Sequence, residues 1–358
     1  MTWPPNRVHS SMATAGLCRG DDPSVVPQNG TCLWFSNDCF IGCRSCGSCG
    51  PSERINATLP EKYWSWPDMS GDVWNNGSRK PNPFKHNPWR APGRAPVYSP
   101  CGIAGGVYRG PGGHPGNGGF APAGVPLGFD GRNLSMNTPI EWEAGSKQEV
   151  AAAVNANHGG GYSYRLCRKI AGQEVTEECF KQGHLKFSGN KQWLQWGTDK
   201  KSRVEVDALR AEEGTYPEGS QWTRFPIPAC GAAWGGDDAG ESEVPGRLQG
   251  GPECNRTQFK PPVPGLFGHA LTQCLVPDTN IQNNYQRYHG YHAHNCTDET
   301  IKRVEKLFNV NVVDFVEVPA NLRAGNYVLS WRHDSEQTQQ VWANCADIKV
   351  TASATISA

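Results

Sequence analysis

An all-β fold is predicted: an immunoglobulin/fibronectin-like β-sandwich with long disulfide-pinned loops and little helix. Three observations predict it. Short runs alternate apolar and polar residues, such as Tyr162-Ser163-Tyr164-Arg165-Leu166-Cys167 and Arg203-Val204-Glu205-Val206. Period-two alternation places one face of a strand on a core. Turn residues are dense, since 42 Gly and 28 Pro make about a fifth of the 358 residues, yet 13 Trp, 12 Phe and 10 Tyr mark an ordered chain; disordered chains are poor in aromatics. Fourteen cysteines span the whole length, an even number that suits a disulfide framework.

Residues 1–50 hold six of these cysteines, with Cys39, Cys43, Cys46 and Cys49 closely spaced. C-x2-C-x2-C spacing can bind zinc, but a ribbon needs a second ligand pair, and an oxidising setting favours disulfides. The stretch at about 50–135 is rich in Pro, Gly, Asn and Trp. It reads equally as a structured binding loop or as a cover for sheet edges. Strands are expected from Thr138 onward: Pro139–Trp142, Gln148–Val154, the run into Cys167, Glu177–Phe180, His184–Phe187, Arg203–Val206 and the proline-bearing Gln221–Cys230. A second insertion, 231–300, contains the histidine tract Tyr288–His294, readable as a polar surface loop or a metal site. The one expected helix is Asp298–Leu307, after which Asn311–Pro319, Ala324–Arg332 and Gln339–Val350 close the chain as strands. With no repeat and no clean linker, residues 1–358 read as a single domain with insertions at about 50–135 and 231–300.

The basic and acidic residues balance at 34 each, without a basic stripe. Nucleic acid is therefore not an expected partner. No apolar run reaches membrane-spanning length. Six Asn-x-Ser/Thr sequons, at Asn29, Asn56, Asn76, Asn133, Asn255 and Asn295, are candidate glycosylation sites. Together with the cysteines they predict a secreted or cell-surface glycoprotein. The opening MTWPPNRVHSSM lacks the charged and apolar regions of a signal peptide, so the leader is expected to have been removed, or the sequence to start within the mature protein.

The most informative stretch is Asn155-Ala156-Asn157-His158-Gly159-Gly160-Gly161, leading into the Tyr162 strand. Three glycines after a histidine let backbone, ligand or a flat partner come close to it. A loop histidine before a hairpin strand is the plainer reading. Two further pieces accompany it: Gln340-x-Trp342-x-x-Cys345-Ala346-Asp347-Ile348 near one end and Met1-Thr2-Trp3-Pro4-Pro5-Asn6-Arg7 at the other.

Taken as a set, these pieces resemble the lytic polysaccharide monooxygenases, in particular auxiliary-activity family fifteen and its chitin-binding type-4-like relatives. Further matches are Arg165-Leu166-Cys167, Cys179-Phe180, Leu185, Val318-Pro319 and Val328-Leu329-Ser330-Trp331, and the similarity covers about half the chain in ordered pieces. The resemblance implies a copper ion held by a histidine brace, made of an N-terminal His and an internal one, which oxidatively breaks a C–H bond beside a glycosidic link. By residue matching, His158 is the internal metal ligand, Trp342 takes the axial position where the family carries Tyr or Phe, and Gln340 matches the outer-sphere Gln/Glu. The family opens His-Gly-x-Leu/Met-x-x-Pro-Pro-x-Arg. Aligning Pro4-Pro5-Asn6-Arg7 to it places the first brace histidine three residues before Met1, so the chain as it stands cannot complete the brace.

Two functions follow as expectations. One is a copper-dependent oxidoreductase acting on an insoluble polysaccharide such as chitin or cellulose, with Trp89 or other loop tryptophans stacking on sugar rings. Packing beneath the loops is the equal alternative for Trp89. The other is a non-catalytic protein that binds an extracellular glycan or assembly partner and keeps the sandwich.

Overall fold

The computed structural model describes residues 1–7, 35–38, 59–65, 88–95, 97–104, 126, 128–136, 138–154, 157–196, 199–229, 257–264, 266–267, 310–336 and 340–353. In chain order its strands are β1 (Phe35–Asp38), β2 (Ile140–Glu143), β3 (Lys147–Ala152), β4 (Gly161–Arg168), β5 (Lys186–Phe187), β6 (Lys191–Trp196), β7 (Val204–Asp207), β8 (Arg210–Ala211), β9 (Trp222–Arg224), β10 (Val310–Glu317), β11 (Gly325–Asp334) and β12 (Gln340–Thr351). Two sheets pack together. One runs β1-β12-β11-β4-β9-β8 with β2 parallel to β12, and the other runs β3-β10-β6-β7 with β5 also on β10. The expected all-β sandwich is the fold. The expected helix Asp298–Leu307, the histidine tract and the cysteines at 18–49 lie outside the described residues.

Between the sheets, Tyr162, Tyr164 and Leu166 of β4 pack with Leu329 and Trp331 of β11, Trp342 and Ile348 of β12, and Val312 and Val316 of β10. A polar tie joins the layers: Tyr162 Oη donates to Asp314 Oδ2 at 2.5 Å, and Arg210 pairs with Asp314 at 2.9 Å. The N-terminal segment also touches both sheets. Trp3 bridges Ala151 of β3 in antiparallel sense, while Arg7 pairs with buried Asp347 of β12.

The alternating runs do set the faces, but their polar face is not solvated. Ser163 and Arg165 of β4, Ser330, Arg332 and Asp334 of β11, and Asp347 of β12 are all buried. Segment 88–104, part of the first insertion, is held against this second face. Gly93 N donates to Asp334, Arg332 donates to Ala95 O, and Ser330 donates to Pro100 O. The disulfide Cys101–Cys345 closes the same contact, and Cys167–Cys179 ties β4 to a helix.

That helix, α1 (Glu177–Gln182), corrects one strand expectation. Glu177-Glu178-Cys179-Phe180 is helical because the Thr176 side chain accepts from Cys179 N, and two acids follow in the first turn. Side-chain capping and negative charge at an N-terminus both favour a helix. Likewise, the extended reading of Gln221–Cys230 narrows to β9.

Candidate functional site

His158 stands in the loop entering β4, and the three residues singled out for a metal site do converge there. Its ring meets Trp342 edge-on, with centroids 6.2 Å apart. Trp342 Nε1 donates to Gln340 Oε1 at 3.0 Å. The His158 carbonyl accepts from Glu336 N, at the end of β11. All three side chains are buried, His158 being 5% exposed.

Of the approaches the glycines after His158 allow, the structure shows that of backbone and side chains of the protein itself. Gly159 and Gly160 take φ of 66° and 90°, a region that L side chains rarely adopt. A Cβ on Gly159 would run into the Gln258 amide, on Gly160 into the backbone of Asp334 and Ser335, and on Gly161 into Thr223 O and the Trp89 ring. Asn157 fixes the turn by accepting from Gly159 N and donating to Ile227 O.

Glu336 ties the neighbouring loops together. Its carboxylate accepts from Ser65 N at 2.7 Å and from Gln258 Nε2 at 3.3 Å. Gln258 in turn exchanges hydrogen bonds with Ala229. Glu336 and Gln258 were not anticipated from sequence, because nothing local marks a residue whose partners lie some 80 to 270 positions away.

His333 was also not singled out, although its place in the β11 alternation after Trp331 was readable. It stacks on Trp331 at 5.6 Å and Tyr162 at 6.5 Å, lies 5.9 Å from Trp342, and bonds to Gly159 O at 2.9 Å through Nε2. A carbonyl only accepts, so Nε2 carries the proton. Burial lowers the His333 pKa to about 4. Neutral in the fold and free to protonate when unfolded, it favours folding fully above about pH 6.5, and that support fades as pH falls toward 4. The loss reaches about 3 kcal/mol for this one residue. Denaturant midpoints measured from pH 7 to 4 are expected to fall, and less steeply in His333→Gln. Equal slopes would assign the acid sensitivity elsewhere.

Trp89 is corrected. It is fully buried, packs with Leu59, Tyr63, Ala211 and Trp222, and donates Nε1–H to Tyr63 O. A ring so enclosed supports the loop and has no free face for a sugar. Asn133 is exposed at the end of a 3-10 turn, whereas Asn29, Asn56, Asn76, Asn255 and Asn295 lie outside the described residues.

As a copper site the donor set is incomplete. Two imidazoles lie near Trp342, those of His158 and His333, and the Nε2–H of His333 is taken by Gly159 O. Among the described residues no three His, Cys, Asp or Glu side chains cluster as metal ligands. The Met1 amino group is buried, and desolvation lowers it to about 4, which keeps it neutral. No described helix is long and apolar enough to cross a membrane. No protein-family model and no curated protein matches the chain.

Proposed function

We propose that the protein is an extracellular, copper-dependent lytic polysaccharide monooxygenase-like protein acting on an insoluble polysaccharide of the chitin or cellulose type. His158 is the internal histidine of its brace, and the other histidine stands three residues before Met1. The observation that carries this reading is the antiparallel bridge between Trp3 and Ala151. In that register Thr2 stands opposite Ala152, the end of β3, so residues placed before Met1 head past β3 toward the segment bearing His158.

Trp342 against His158, with Gln340 bonded to it, supports the axial and outer-sphere roles. Bound there, copper would supply activation of oxygen or peroxide. The disulfides Cys101–Cys345 and Cys167–Cys179 suit an oxidising compartment.

A second reading, a non-catalytic protein binding an extracellular glycan or assembly partner, is favoured by the incomplete donor set. N-terminal sequencing of the natural protein separates the two. The first expects His-Gly-x ahead of Met1 and one tightly bound copper with a type-two EPR signal. In His158→Ala, copper affinity is expected to fall by more than about 100-fold, beyond the usual cost of an outer-shell change. A natural chain starting at Met1, or unchanged affinity in His158→Ala, would favour the second.

A further inference from the structure

A cleft of about 370 Å³ lies beside the β6–β7 pair, with Lys191, Glu205, Asp207, Arg224, Phe259 and Lys260 on its wall. Its size is at the lower end of ordinary ligand sites. The acids here are already engaged: Lys191 bonds Asp207 at 2.8 Å and Glu205 at 3.3 Å. Two cations are not. Among the described residues neither Arg224 nor Lys260 has a carboxylate partner within ion-pair distance. The wall therefore carries one net positive charge, three cations against two acids.

Arg224 is also held in place. Its backbone is fixed in β9, opposite Gly161 and bonded to Leu209 O, and its guanidinium lies over the Phe259 ring at 3.9 Å. The carboxylate whose field reaches it, Glu336, is committed to Ser65 and Gln258. A planar guanidinium stacked on a ring keeps its N–H fork in one plane, which matches the two oxygens of a carboxylate or sulfate. Lys260, next in sequence to Phe259 and exposed, adds a mobile point charge to the same wall.

We propose that this cleft binds the oxyanion group of a small polar ligand of sugar-acid size, with Arg224 as the oriented donor and Lys260 as the second cation. This site is separate from the copper reading and stands or falls without it.

The test uses the full chain at low ionic strength, titrated by NMR or calorimetry with sodium glucuronate, glucose and inorganic sulfate. Glucuronate is expected to bind saturably and glucose not to bind. Affinity should drop roughly tenfold or more in Arg224→Gln, stay low in Arg224→Lys, which has no fork, and fall several-fold in Lys260→Gln. Lys260 is exposed, so that variant tests the site even where changes at Arg224 disturb folding. Glucuronate binding more tightly than sulfate assigns recognition to the sugar acid, and equal binding assigns it to the oxyanion alone. Absence of saturable binding of either anion, equal binding of glucose, or unchanged affinity in both Arg224→Gln and Lys260→Gln would overturn the proposal.

Discussion

Asp334→Ala is expected to cost roughly 3–5 kcal/mol of folding stability, because it strips a buried arginine of its main partner. Asp334 accepts from Arg332 Nε at 2.7 Å and Nη2 at 3.1 Å, and from Gly93 N at 2.8 Å. Glu177 lies on the other side, taking Arg165 at 2.5 Å and Arg332 at 3.1 Å. Two arginines and two carboxylates thus balance beneath segment 88–104. Burial alone would lower the Arg332 pKa, but Asp334 and Glu177 outweigh it and hold the group above its ordinary value. Removing one acid leaves a desolvated charge rather than merely a lost bond. A double variant, Asp334→Ala with Arg332→Met, is expected to recover much of the loss, since an apolar replacement leaves no orphaned charge. Urea midpoints for the two single variants and the double one test this. A double variant as unstable as the sum of the singles would refute the coupling.

The second large effect is expected from Cys101→Ser. The Cys101–Cys345 disulfide spans 244 residues and joins the first insertion to β12. Cross-linking so distant a pair restricts the unfolded chain, and its loss is expected to cost roughly 2–5 kcal/mol. The damage should also be local. Pro100 O accepts from Ser330, and Ala95 O from Arg332, so those bonds depend on the strap staying seated. Hydrogen exchange should quicken first around residues 88–104, ahead of β6 and β10. Uniform loss of protection would mean that the disulfide stabilises only through the unfolded state.

The sandwich was legible because period-two patterning survives in single stretches. Tyr162, Tyr164 and Leu166 pointed inward as the alternation required, and Leu329 and Trp331 met them across the β4–β11 pair. The convergence of His158, Trp342 and Gln340 was legible only through ordered motifs, since about 180 residues separate the histidine from the other two. Trp89 misled because an aromatic in a loop looks the same in sequence whether it faces solvent or supports the loop from below. Glu177–Phe180, expected as a strand, is helical, and its cap Thr176 was readable in the sequence.

Sequence alone therefore determined the all-β class and the inward faces, because these depend on neighbours two to four positions apart. Tertiary structure decided the rest. It buried the polar faces of β4 and β11 under segment 88–104, made Gly159, Gly160 and Gly161 points of close packing, and joined Glu336 to three separate loops. A charged residue in an alternating strand looks solvent-facing until a distant segment brings its counter-charge. Only the folded chain says whether that segment arrives.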